Sequence, residues 1–200
     1  MKCRTDKVRE EIVSRYELHP IAHLKLLDGQ SKESCTGETL SDTYYCFSYK
    51  SRQSSESGSF YCGSHAAAHF LKLLNSKPLP LFNPLISVGG STGNGGSNPG
   101  DTWDKVSKQL YNAINLILVK WDSSPGPAIK SIKEDIENNF NKTPSLSLVK
   151  SVNTIISRDK SGLTLQQMIA QLRSNNNIRV FAFNLLNAML AQHGITSYFG

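Results

Sequence analysis

Apolar positions at the start of the chain recur at helical spacing. Val8, Ile12 and Tyr16 fall four apart and predict one face of a helix over 5–18. Pro20 suits the first turn of a second, short helix over 20–27, which Asp28 and Gly29 close. Residues 30–42 are polar and predict a loop. The pattern then changes: Tyr44-Tyr45-Cys46-Phe47-Ser48-Tyr49 reads as an aromatic strand, 50–57 as a polar turn, and 58–62 as the returning strand. A helix over 65–74 follows, with Ala66, Ala67, Phe70, Leu71 and Leu74 on its apolar face, and Lys77-Pro78 ends it. Three prolines within 78–85 predict an extended segment laid against a surface.

The stretch 88–100 reads VGGSTGNGGSNPG and offers no side chain to pack, so it is expected to be a flexible linker. A phosphate-binding loop is excluded, since no Lys-Ser or Lys-Thr follows and no apolar strand immediately precedes it. Beyond it every pattern is helical. Asp101 or Thr102 can cap a helix in which Trp103, Val106, Leu110, Ile114, Ile117 and Trp121 recur every three or four residues. Prolines at 125 and 127 break it. Further helices are predicted over 128–140, 144–156, 164–172, where Thr164 and Gln167 form a capping box, and 178–192, stopped by His193-Gly194. The expected architecture is α+β: an N-terminal module over 1–87, the Gly/Ser tract over 88–100, and an all-α bundle over 101–200.

Composition narrows the classes. With 19% charged and 38% hydrophobic residues the chain reads as soluble and globular. The net charge of +6 is diffuse: 1–87 carry eleven basic and nine acidic side chains, and no run of Lys and Arg forms a stripe. No apolar stretch approaches a membrane span, and the first eighteen residues are charged and helix-like, unlike a signal peptide. A cytoplasmic, reducing location is therefore expected, in which clustered cysteines bind metal more often than they form disulfides. Export would make two disulfides the competing account.

Chemistry concentrates at Cys35, Cys46, Cys62 and His65. Cys62 and His65 sit two residues apart where a strand gives way to a helix, and two soft ligands lie upstream, the set a tetrahedral zinc ion requires. A loop ligand, a β-hairpin and a helix whose first turn supplies the last pair resemble a treble-clef zinc finger over about 35–74. The resemblance implies one structural Zn2+ held by Cys35, Cys46, Cys62 and His65. Ten residues separate Cys35 from Cys46 where treble clefs have two, so His69, one turn after His65, is the alternate ligand. Cys3 reads as a lone thiol. Burial of Cys46 and Cys62 as small hydrophobes is the competing account.

No Cys/His/Asn signature, nucleophile elbow or deaminase motif occurs. A ββα-metal nuclease, which shares the treble-clef topology, would use His65 and His69, but its strand histidine is missing. A helix-turn-helix over 163–195 is disfavoured because its second helix is apolar nearly all round. The aromatic hairpin offers stacking surfaces, with Lys50, Arg52 and Lys72 near phosphates, although half of those aromatics are expected in the hairpin core. The functional expectation is a non-catalytic zinc-binding adaptor or small subunit of a larger complex. It would dock a protein partner through bundle helices too apolar to stand alone, with nucleic acid a second class of partner, no membrane and no small-molecule substrate. The alternative is the ββα-metal nuclease.

Overall fold

The computed structural model describes residues 1–86, 102–121 and 125–200; the tract 88–100 lies outside them. Two compact units divide the chain, Met1–Asn83 and Pro84–Gly200.

The first unit opens with α1 (Asp6–Arg15), capped by the Thr5 hydroxyl, which accepts from the Val8 N–H. Tyr16 then turns extended and starts β1 (Tyr16–Lys25), where helix was expected on both sides of Pro20. The buried positions Leu18, Ile21 and Ala22 have helical spacing, but only because a β-bulge between Pro20 and Ala22 breaks the two-residue alternation. Pro20, with no N–H to donate, is tolerated at such an irregularity. Next come β2 (Lys32–Glu33) and β3 (Thr39–Leu40), a small antiparallel hairpin whose turn uses Gly37 at φ 88°. The long strands β4 (Thr43–Ser51) and β5 (Ser57–Cys62) lead into α2 (Ser64–Leu73). The main sheet is antiparallel in the order β1-β4-β5.

One face of this sheet carries Leu18, Tyr45, Phe47, Phe60 and Cys62, which pack with Ile12 of α1 and Ala66, Ala67, Phe70 and Leu71 of α2. Phe47 stacks on Phe60 at 5.5 Å, and Phe70 lies 5.4 Å from Phe60. The proline-rich segment runs along the outer edge of β1. Phe82 N–H donates to the His23 carbonyl at 2.9 Å, and Lys25 N–H donates to Phe82 at 3.1 Å. This covers part of a strand edge that would otherwise invite pairing with another chain.

His23 stacks on Tyr45 at 4.0 Å, and its Nδ1 lies 3.2 Å from the Leu79 carbonyl, which also accepts from the Tyr45 hydroxyl. Burial holds the His23 pKa below its ordinary value, with the Leu79 bond opposing. The folded state thus binds a proton less readily than the unfolded chain. The stability this gives is complete above the ordinary histidine pKa of about 6.5 and is lost as pH falls through the lowered folded value. His23→Phe keeps a ring on Tyr45 and removes the titration. Its urea midpoint is expected to fall less than that of the wild type between neutral and acidic pH; an equal fall would contradict this.

The second unit is built around α3 (Lys105–Lys120), buried on nearly every side from Leu110 to Val119. Around it pack α4 (Pro127–Asn138), α5 (Leu146–Ser157), α6 (Leu165–Arg173) and α7 (Asn184–Ala191). Asp104, rather than Thr102, caps α3, accepting from Val106 and Ser107 N–H groups at 2.9 Å, and Asp101 lies outside the described residues. The capping box of Thr164 and Gln167 forms as expected. The last helix is half its expected length. Ile178, Phe181 and Phe183 are buried while Val180, Ala182 and Asn184 are exposed, and Ile178 bridges antiparallel to Leu85. Alternation plus a strand partner makes this stretch extended.

These helices bury their own apolar faces: among the described residues only Met1, Leu81, Ile86 and Val180 are exposed large hydrophobics. The surplus of apolar surface expected to mark an interface is therefore not seen on α3 or α7. No described helix is long and apolar enough to cross a membrane.

Asn153, buried on α5, holds the C-terminal tail. Its amide donates to the Thr196 carbonyl at 2.9 Å, and its carbonyl accepts from the Tyr198 N–H at 2.7 Å. Asn153→Ala leaves both backbone groups without a partner and is expected to cost about 2 kcal/mol in chemical denaturation. Asn153→Asp should recover part of this by keeping the acceptor. Equal stability of wild type and alanine variant would contradict the assignment.

Seven helices and two small antiparallel sheets thus make the described part of the chain a mixed α+β protein, but the N-terminal unit is not a treble-clef zinc module. In the β4–β5 register Tyr45 opposes Cys62 and Tyr61 opposes Cys46. One residue of offset puts the two cysteine side chains on opposite faces of the hairpin, where they cannot share an ion.

Candidate functional site

The cysteines are divided among three environments. Cys3 and Cys35 form a disulfide, so neither the lone thiol expected at residue 3 nor the zinc ligand expected at Cys35 exists. The bridge is held in place by backbone bonds. Cys3 N–H donates to the Cys35 carbonyl at 2.8 Å, and Cys35 N–H donates to the Tyr61 carbonyl at 2.7 Å. Cys62 is buried beneath it in the same core, and burial, reinforced by Cys46, pushes its thiol up to about 12. At neutral pH it is a protonated small hydrophobe, neither a nucleophile nor a ready metal ligand. Cys46 is buried on the other face of β4.

The expected helix ligands diverge as well. His65 is exposed in the first turn of α2. His69, four residues on, turns toward α1, where its Nδ1 accepts from the Arg9 Nε at 2.9 Å and lies 3.5 Å from Asp6. Among the described residues no group of three or more His, Cys, Asp or Glu side chains is arranged to hold a metal ion. The zinc-finger reading is therefore overturned by the opposed faces of Cys46 and Cys62, the disulfide at Cys35 and the absence of a ligand group. The expectation that these cysteines stay reduced followed from a cytoplasmic location, and the disulfide departs from it.

Arg9 is the organising residue that the sequence reading missed. It is only 3% exposed, yet sits in a helix of charged neighbours. Its guanidinium bonds His69, the Cys3 carbonyl at 2.8 Å and the Asp6 carboxylate, so it joins α1, α2 and the disulfide. A signal was present: Arg9 lies three residues before Ile12, beside the apolar stripe of α1, where a solvated arginine is out of place.

The nucleic-acid expectation finds its cations but not its stacking platform. Lys50 and Arg52 are exposed at the β4–β5 turn, and Lys72 is exposed in the last turn of α2. Of the six hairpin aromatics, Tyr44, Tyr45, Phe47 and Phe60 are buried, and Tyr49 and Tyr61 are half-buried. Their rings are occupied: Tyr44 meets Tyr61 edge-on at 5.3 Å, and the Lys32 ammonium lies 5.1 Å from the Tyr61 ring.

In the second unit a groove of about 530 Å³ opens along α5 and reaches the first turn of α4 at Ala128. Its cations are Lys150 and Arg158, eight residues apart and therefore close to one helical face, with Thr154 between them. No carboxylate appears among the described residues that line it. Lys108 marks a different place in this unit, with its ammonium 4.6 Å from the Trp103 ring and 5.3 Å from Tyr111. Burial, with Arg179 nearby, lowers its pKa to about 8.

Residues 2–197 match the model of the family described as Uncharacterised conserved protein UCP028583, and the chain belongs to that family. No curated protein and no solved structure gives a significant match.

Proposed function

We propose that this chain works by binding, as a non-catalytic adaptor or small subunit of a larger complex. The observation that carries the reading is how its soft nucleophiles are used: Cys3 and Cys35 are bonded to each other, and Cys62 is fully buried with its thiol pushed up to about 12. The cysteines that the sequence offered as metal ligands or a lone thiol stabilise a small unit instead.

The alternative, a ββα-metal nuclease acting through His65 and His69, is weakened by one contact. A guanidinium donating to His69 Nδ1 occupies that lone pair and leaves the proton of the neutral ring on Nε2, so neither nitrogen is a ready metal ligand. The test uses the tagged full chain. The account expects a protein partner to co-purify in defined stoichiometry, and no cleavage of DNA or RNA with magnesium or manganese. Metal-dependent cleavage that disappears in folded His65→Ala and His69→Ala variants would overturn it.

A further inference from the structure

We infer that the α5 groove of the second unit is a docking site for an acidic, apolar-bearing peptide segment of a partner protein. The inference rests on the adaptor reading and names the chemistry of what is bound.

Charge selects the sign of the ligand. Lys150 and Arg158 stand on the groove with their side chains in no hydrogen bond or ion pair among the described residues. Of the carboxylates nearest in sequence on either side, Asp159 accepts from the Ser161 N–H at 2.9 Å and Glu137 of α4 pairs with Lys133. Two cations on a lining that holds no carboxylate among the described residues favour an anionic partner and attract it at low ionic strength.

The remaining lining favours peptide over nucleic acid. Leu146, Ile155 and Ala128 give the groove an apolar component that a phosphate backbone cannot use, whereas a leucine or phenylalanine side chain can. Two of the three hydroxyls on the described lining are poor phosphate ligands as placed. Ser151 donates to the Ser147 carbonyl at 2.9 Å and Thr154 to the Lys150 carbonyl at 2.8 Å, so their protons are directed into the helix. The charged donors for an anion are the Lys150 ammonium and the Arg158 guanidinium, about two turns apart, a spacing suited to separate carboxylates on one peptide face. Among the described residues no aromatic ring lines the groove for a base to stack on.

The test titrates the full chain with three fluorescein-labelled probes: a peptide with leucines at helical spacing and glutamates between them, its counterpart with lysines for the glutamates, and an oligothymidine. The acidic peptide is expected to bind, and the lysine counterpart and oligothymidine to bind at least about tenfold more weakly. Lys150→Glu and Arg158→Glu, both exposed sites whose folding circular dichroism would check, should each weaken the acidic peptide about tenfold. Failure of the acidic peptide to bind, equal binding of both peptides, indifference to both charge reversals, or preference for oligothymidine would each overturn the assignment. If the doubly reversed chain still retains its co-purifying partner, the groove assignment alone falls. If metal-dependent cleavage appears while the acidic peptide still binds, the adaptor reading alone falls.

Discussion

Replacing Arg9 with methionine is expected to lower the stability of the N-terminal unit by about 3 kcal/mol, read as a shift in urea midpoint. The long apolar stem is retained, so the loss reports the guanidinium rather than a cavity. Two bonds carry most of it, to His69 Nδ1 at 2.9 Å and to the Cys3 carbonyl at 2.8 Å, because both partners lie in or at the edge of the core. The ion pair with Asp6 contributes far less, since that carboxylate is 70% exposed and screened by water. Asp6→Asn is therefore expected to change stability by under about 1 kcal/mol. If Asp6→Asn proved as damaging as Arg9→Met, the charge pair and not the buried bonds would be holding these elements together.

Removing the disulfide should have an effect of similar size. The bridge closes a loop of 32 residues, which in the chain-entropy account corresponds to about 3 to 4 kcal/mol. It also fixes Cys3, whose carbonyl is the acceptor for Arg9. Cys3→Ala with Cys35→Ala, and wild type treated with reductant, are expected to unfold at nearly the same, lower urea concentration. Adding Arg9→Met to the reduced protein should then cost less than it does in the oxidised one, because the two changes share a partner. Strict additivity would separate the disulfide from the arginine and contradict the arrangement described.

Much of the helical framework is legible in the sequence because its causes are local. The apolar repeat from Val106 to Ile117, the capping box at Thr164 and Gln167, and the Ala66 to Leu71 face of α2 all lie within a few residues of the partners that define them. Elements set by distant partners read wrongly. β1 reads as helix because Tyr16 continues the spacing of Val8 and Ile12 and Pro20 suits a first helical turn, and only pairing with β4 reveals the strand. Residues 178–183 read as helix until Leu85, more than ninety positions earlier, is known to bridge to Ile178.

The candidate site failed for the same reason. Proximity of Cys46, Cys62 and His65 along the chain says nothing of which sheet face each occupies, and one residue of register decides it. Cys3 looked solitary because its partner comes from a hairpin turn 32 residues away. The α5 groove had no signature at all, since Lys150 and Arg158 are ordinary surface residues until the fold sets both on one groove whose described lining holds no carboxylate.

The account turns on the state of the four cysteines, and a thiol count tests it directly. Protein purified without reductant, denatured and alkylated, is expected to show two free thiols, with four after reduction. Peptide mapping should join Cys3 to Cys35 and find Cys46 and Cys62 modified singly. Four free thiols before reduction, or a bridge involving Cys46 or Cys62, would contradict it.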